Sequence, residues 1–369
     1  MLKKAAALLL VYACVGTWAG CGNIASDYVY AALPTPSQIA IYREDPNSGV
    51  LTPLVGSPFP AGPGVQSLVI HPSGQFMYGA NSGQSNVSLF TIASNGLLTE
   101  QGRTSVIGTP LYLAMDTAGA YLYVGCVGPN SNISVFSIGS GGVLSPVGNP
   151  TQIGPSPLNM ALTPSASFLY VTGSTASDLP GIIQAFSVSS GVLTPLQGSP
   201  FETGKTPQGL AITPNGNFLY TANFGDGTIS EFSIGSNGTL TPLEGSPVGE
   251  TYLGPVALLV DNSGQYLYVA NKTSGNIAAY SITSSGTLAL LTNSPFGAGG
   301  NPGIIASDPS GQYLFVGTQA AGPQVQSFYL YTSSGTLTSV NNYNVGNAPT
   351  SIVVLHPAAQ STSTSGTTP

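Results

Sequence analysis

Short runs of alternating apolar and polar residues, cut by glycine and proline, cover most of this chain. One unit shows the pattern. "PQGLAIT" (207–213) is a nearly continuous apolar run, as expected of a strand buried on both faces. "NFLYTAN" (217–223) follows the turn Pro214-Asn215-Gly216, "TISEFSI" (228–234) alternates, and "GTLTPLEGS" (238–246) closes on turn residues. The period is two throughout, with no helical spacing, so each unit predicts four antiparallel strands. The second of these strands is repeated almost as a phrase: "SGQFMYGAN" (73–81), "NGNFLYTAN" (215–223), "SGQYLYVAN" (263–271) and "SGQYLFVGT" (310–318). Its central aromatic falls at Tyr30, Tyr78, Tyr123, Tyr170, Tyr220, Tyr268 and Phe315. A steady spacing of about 45 to 50 residues between four-stranded units indicates an all-β, seven-bladed β-propeller.

The phase of the repeat predicts how the ring closes. The first copy opens at a second strand, "DYVYAA" (27–32), with no innermost strand before it. The last copy ends with a spare innermost strand, "TSIVVLH" (350–356). Seven complete blades require that the two ends share one blade, which removes an open sheet edge. The propeller then spans residues 27–357.

Composition adds the surroundings. Gly (48) and Pro (30) are abundant and only 5% of residues are charged, yet 42% are hydrophobic, which fits many turns between packed strands. Residues 1–20 read as a signal peptide: Lys3 and Lys4 precede an apolar stretch, Ala5 to Val15, too short to span a bilayer. "Trp18-Ala19-Gly20-Cys21" then resembles the bacterial lipoprotein cleavage box, with Trp18 where Leu is usual. That resemblance implies lipidation of Cys21, a short linker over 21–26, and export to the cell envelope. Gly22 after the cysteine implies the outer membrane, with the lipid as the anchor. An ordinary secretory peptide cut nearby is the alternative. The polar tail 358–369 is expected to be disordered. Removal of the leader leaves Arg43, Arg103, Lys205 and Lys272 against 13 acidic side chains, too few cations for a nucleic-acid surface. The mature chain is expected to be a monomer.

The "YVAN" and "YTAN" phrases, with the recurrent "G-x-L-x-P…GSPF", resemble the lactonase family of seven-bladed propellers over residues 27–357. This family includes 6-phosphogluconolactonase-like enzymes and Tyr-Val-Thr-Asn repeat propellers. The resemblance implies hydrolysis of a sugar lactone in a central funnel. It also implies Pro-Arg-His where an innermost strand meets the funnel, and often an acid four residues after the strand aromatic. At the first position this chain has Gln66-Ser67, Leu111-Tyr112, Leu158-Asn159, Gln208-Gly209, Val256-Ala257, Gly303-Ile304 and Thr350-Ser351. At the second stand Pro34, Ser82, Val127, Ser174, Phe224, Lys272 and Gln319. None is Arg, His or an acid. Two functions therefore stay open: a lactone hydrolase, or a non-catalytic envelope propeller binding a small ligand, glycan or protein partner through its funnel face.

Other candidate chemistry is sparse. His71 and His356 align with Asp116, Thr163, Thr213, Asp261 and Asp308 at the start of the turn after each innermost strand, where a side-chain acceptor can hold the turn backbone. Cys126 replaces the last Asn of the repeated phrase and is expected to be a packed thiol. Glu231 aligns with Ile41, Leu89, Val135, Ala185, Ala279 and Ser327 in the third strand. It is either a desolvated carboxylate or one that reaches water. Loops expected around the funnel carry Arg103, Asp178, Glu202, Lys205, Asp226, Glu250 and Lys272. No residue spacing suggests a bound metal or cofactor.

Overall fold

The structure, a computed structural model, describes residues 26–174, 179–249, 252–319, 322 and 324–357. Seven antiparallel sheets stand around one axis, and their innermost strands contact one another in a closed circle. Blade 5 is typical, with strands Pro207–Ile212, Phe218–Asn223, Thr228–Ile234 and Leu240–Pro242 from the axis outward. The second strands are the most deeply buried; Tyr266–Asn271 of blade 6 is buried at every position. Ring closure follows the sequence expectation. Ser351–Leu355 lies antiparallel to Asp27–Leu33, from Ala32 opposite Ser351 to Tyr28 opposite Leu355.

The repeated aromatic joins each blade to the next. Tyr30, Tyr78, Tyr170, Tyr220 and Tyr268 are fully buried, and each hydroxyl donates to a glycine carbonyl in the following blade. The acceptors are Gly96, Gly142, Gly238, Gly286 and Gly335, all in the turn between third and fourth strands and all at positive φ. Blade 4 breaks the rule. Its third and fourth strands, Gly181–Ser189 and Val192–Pro195, are joined by only Ser190 and Gly191, so the Tyr123 hydroxyl is buried without a partner. Tyr78→Phe should therefore cost about 1–2 kcal/mol, because the Gly142 carbonyl loses its donor, whereas Tyr123→Phe should be neutral or mildly stabilising. Denaturant midpoints of the two variants check this; equal losses would contradict it.

The "GSPF" motif has a local cause. In blades 1, 4, 5 and 6 the fourth strand breaks, and a short segment such as Phe59–Pro60 returns to the third strand. The break would leave a third-strand N–H without a ladder partner. The motif serine supplies one: Ser57, Ser199, Ser246 and Ser294 accept from the N–H groups of Ile41, Ala185, Glu231 and Ala279 at 2.8, 2.9, 2.8 and 3.1 Å.

In blades 2 to 7 the turn after the innermost strand is held by the expected side chains. Asp116, Asp261 and Asp308 accept from Tyr121, Tyr266 and Tyr313 N–H, and Thr163 and Thr213 accept from Phe168 and Phe218 N–H. His71 bonds Ser73 in its own turn, and His356 pairs with Asp27 across the closing blade. These groups lie at the far end of the innermost strands from the funnel mouth.

Candidate functional site: an axial funnel

A proline or valine stands first or second in the innermost strand of blades 2 to 7. Just after it the strand carries a bulge in which one residue has no partner in the ladder. Proline cannot donate to the ladder, and a bulge re-aims the inserted side chain. The inserted residues are Gln66, Leu111, Leu158, Gln208, Val256 and Gly303, and all six line one cavity of about 450 Å³ on the axis. Thr350 and Ser351 complete the circle from blade 1. The mouth positions read in the sequence thus form the funnel wall.

Two further side chains come from the ends of second strands. Lys272 and Gln319 follow Tyr266–Asn271 and Tyr313–Thr318 and also line the cavity. Among the described residues Lys272 is the only charged lining side chain, and no histidine or carboxylate lines the cavity. Several polar groups in the wall are already committed. Asn159 Nδ2 donates to the Gln208 carbonyl at 3.0 Å and its Oδ1 accepts from Met160 N–H. Ser67 and Ser351 accept from Leu113 and Leu68 N–H, and Thr350 donates to the Gln66 carbonyl. No hydrogen bond holds the Lys272 ammonium or the Gln208 and Gln319 amides among the described residues, which leaves them for a ligand. Burial raises the pKa of Tyr112 in the same wall, so its phenol stays neutral.

Of the remaining funnel candidates, the described ones are not brought to the axis. Arg103 lies on the outermost strand of blade 2, Leu98–Ser105, where its Nε donates to Glu100 at 2.6 Å and Nη1 to Gln84 at 2.8 Å. Its guanidinium holds the Glu100 carboxyl below the usual range. Glu202, Lys205 and Asp226 share a separate cavity of about 340 Å³ with Phe232, Pro242 and Pro247. There Asp226 accepts from the backbone N–H of Lys205 and from the Thr228 hydroxyl, which ties the loop together. Outer-strand loops reach the funnel face without reaching the axis, and sequence order does not reveal that distance. Asp178 and Glu250 lie outside the described residues, as do Cys21 and the 358–369 tail.

Glu231 does not reach water: it is 1% exposed between blades 5 and 6. One oxygen accepts from Leu288 N–H at 2.9 Å and the other has no partner. Burial raises its pKa, with the Leu288 bond opposing, and it lines neither cavity. Cys126 is fully buried, and burial pushes its thiol up to about 12, so it is no nucleophile at neutral pH.

Comparisons with known proteins converge on this architecture. Residues 57–154, 123–256 and 242–354 match the lactonase, 7-bladed β-propeller family. A 6-phosphogluconolactonase from Cronobacter sakazakii is 34% identical over 98 residues; the match spans 26% of this chain and only 28% of that relative. A candidate 6-phosphogluconolactonase from Bacteroides fragilis superposes with a TM-score of 0.78 at 20% identity, covering 91% of this chain and 100% of that one. The periplasmic gluconolactonase PpgL of Pseudomonas aeruginosa gives 0.76 at 19% identity, covering 90% and 99%. At these identities the structural likeness shows the fold.

Proposed function

The chain belongs to the seven-bladed β-propeller lactonase family, and from that premise we propose that its axial funnel binds a small lactone without hydrolysing it efficiently. One observation carries the reading: among the described residues the funnel is lined by a single cation, Lys272, beside uncommitted amides, and by no imidazole or carboxylate. An ammonium and amide N–H donors suit the carbonyl and ring oxygens of a lactone. Attack by water needs a group that takes a proton, and among the described lining residues there is neither imidazole nor carboxylate. A phosphorylated lactone brings a dianion to a site with one positive charge, so the unphosphorylated compound is the better fit.

Glucono-1,5-lactone should bind to the purified propeller by calorimetry, and Lys272→Ala should weaken binding about tenfold or more, the worth of a charge-assisted hydrogen bond. Hydrolysis should stay close to the spontaneous rate. Robust turnover would return the protein to the enzymes, and binding insensitive to Lys272→Ala would remove the funnel assignment.

The reading includes an envelope location, supported by the leader and the "Trp18-Ala19-Gly20-Cys21" box. Expressed at full length in a bacterium, the protein should partition with membranes. Cys21→Ser should move it to the soluble fraction, and an unchanged distribution would refute lipid anchoring.

A further inference from the structure

The funnel is not polar all round. Blades 1 and 2 give a continuous polar arc of Thr350, Ser351, Gln66 and Ser67; blades 7 and 6 are mixed, with Gln319 and Lys272 beside Ile304, Val256 and Ala257. Across the axis, blades 3 and 4 give a continuous apolar arc: Leu111, Tyr112 and Leu113, then Leu158 and Met160. Leu111 and Leu158 sit at bulges, so the backbone irregularity that builds the funnel delivers leucines to this side. Both are half-buried, with the rest of their surface facing the cavity. Asn159, the polar residue between these leucines and Met160, spends its side chain on the backbone of its own wall.

A sugar lactone carries a hydroxyl on almost every carbon, and seating it here would press hydroxyls against leucine with nothing to bond. Each such group costs on the order of 1–3 kcal/mol. A lactone with a hydrocarbon substituent meets both walls correctly. Its carbonyl and ring oxygen face Lys272, Gln319 and Gln66, and its chain lies on Leu111 and Leu158. We propose that the natural ligand of the funnel is an amphipathic lactone, a lactone ring bearing an alkyl substituent, and not a polyhydroxylated sugar lactone. This rests on the funnel being the ligand site and names the chemical class it selects.

The test is a calorimetric series on the purified protein with glucono-1,5-lactone, δ-hexalactone, δ-octalactone and δ-decalactone, which share the ring and differ in the substituent. Affinity should rise with chain length, by up to about three- to fourfold per methylene while the chain still finds wall to cover. δ-Decalactone should bind at least tenfold more tightly than δ-hexalactone. Leu111→Asn and Leu158→Asn should flatten the gradient, whereas Lys272→Ala should weaken every member alike and leave it intact. Melting curves establish that each variant is folded. Glucono-1,5-lactone binding as tightly as δ-decalactone, or a gradient that survives both leucine substitutions, would overturn the amphipathic assignment alone. Failure of every lactone to bind would overturn the funnel as a lactone site as well.

Discussion

Replacing Glu44 by Gln should stabilise the propeller above neutral pH and flatten its pH dependence. Glu44 is 1% exposed where blade 7 meets the closing blade, and neither carboxyl oxygen has a partner. Around it stand Asp27 of its own sheet, Asp45 in the adjoining turn, and Asp308 and Tyr313 from blade 7, with His356 paired to Asp27. Burial is the main cause, and the carboxylates of Asp308, Asp27 and Asp45 add to it. Together they push Glu44 up to about 8 from an ordinary 4.5. The folded state therefore keeps a proton that the unfolded chain gives up between those values. This contribution is fully present below pH 4.5, is lost at up to about 1.4 kcal/mol per pH unit, and levels off above pH 8. The whole loss is on the order of 5 kcal/mol. Asp27 is also raised by burial, with His356 opposing, and it reinforces the trend. Glu44→Gln cannot ionise, so its denaturant midpoint should exceed that of the parent at pH 9 and match or fall below it at pH 4. A parent protein whose midpoint is the same at pH 5 and pH 9 would contradict this.

Deleting residues 350–357 should abolish cooperative folding. The strand Ser351–Leu355 fills the axial position of blade 1 and buries Ile352 and Leu355 to 5% and 8% exposure. It pairs with five residues of Asp27–Leu33, and Ser351 also accepts from Leu68 N–H of blade 2. Two buried aliphatic side chains are worth about 1.5–3 kcal/mol each, and the ladder about 1 kcal/mol per bond. The sum approaches the whole stability of a typical domain, about 5–15 kcal/mol. It also leaves the edge of Asp27–Leu33 open to pair with other chains. Broadened or absent thermal transitions and light scattering are the expected result; unchanged melting would refute closure by the chain ends.

The architecture was legible because one phrase had to fit the same ring seven times. The aromatic of "SGQYLYVAN" marks the blade, and the phase of the first and last copies tells how the ring closes. The mouth positions could be located for the same reason, since they sit at a fixed offset from that phrase. Their meaning could not be read one at a time. Leu111 and Leu158 look like ordinary strand leucines until bulges in neighbouring blades place them side by side on the axis. Charged loop residues misled in the opposite direction. Glu202, Lys205 and Asp226 stand on segments expected as loops of the funnel face, yet they meet in a cavity away from the axis. Nothing in the local sequence Glu44-Asp45-Pro46 marks Glu44 as buried; the docking of blade 7 does that. Radial distance and blade-to-blade contact are tertiary facts that a repeat does not encode locally.

A crystal structure of the protein soaked with δ-decalactone tests the central claim most directly. The lactone should occupy the axial funnel intact, its carbonyl within hydrogen-bond reach of Lys272 Nζ and its chain along Leu111 and Leu158. Density in the cavity of Glu202, Lys205 and Asp226 with the funnel empty would contradict it, as would a ring-opened hydroxy acid formed faster than in protein-free solution.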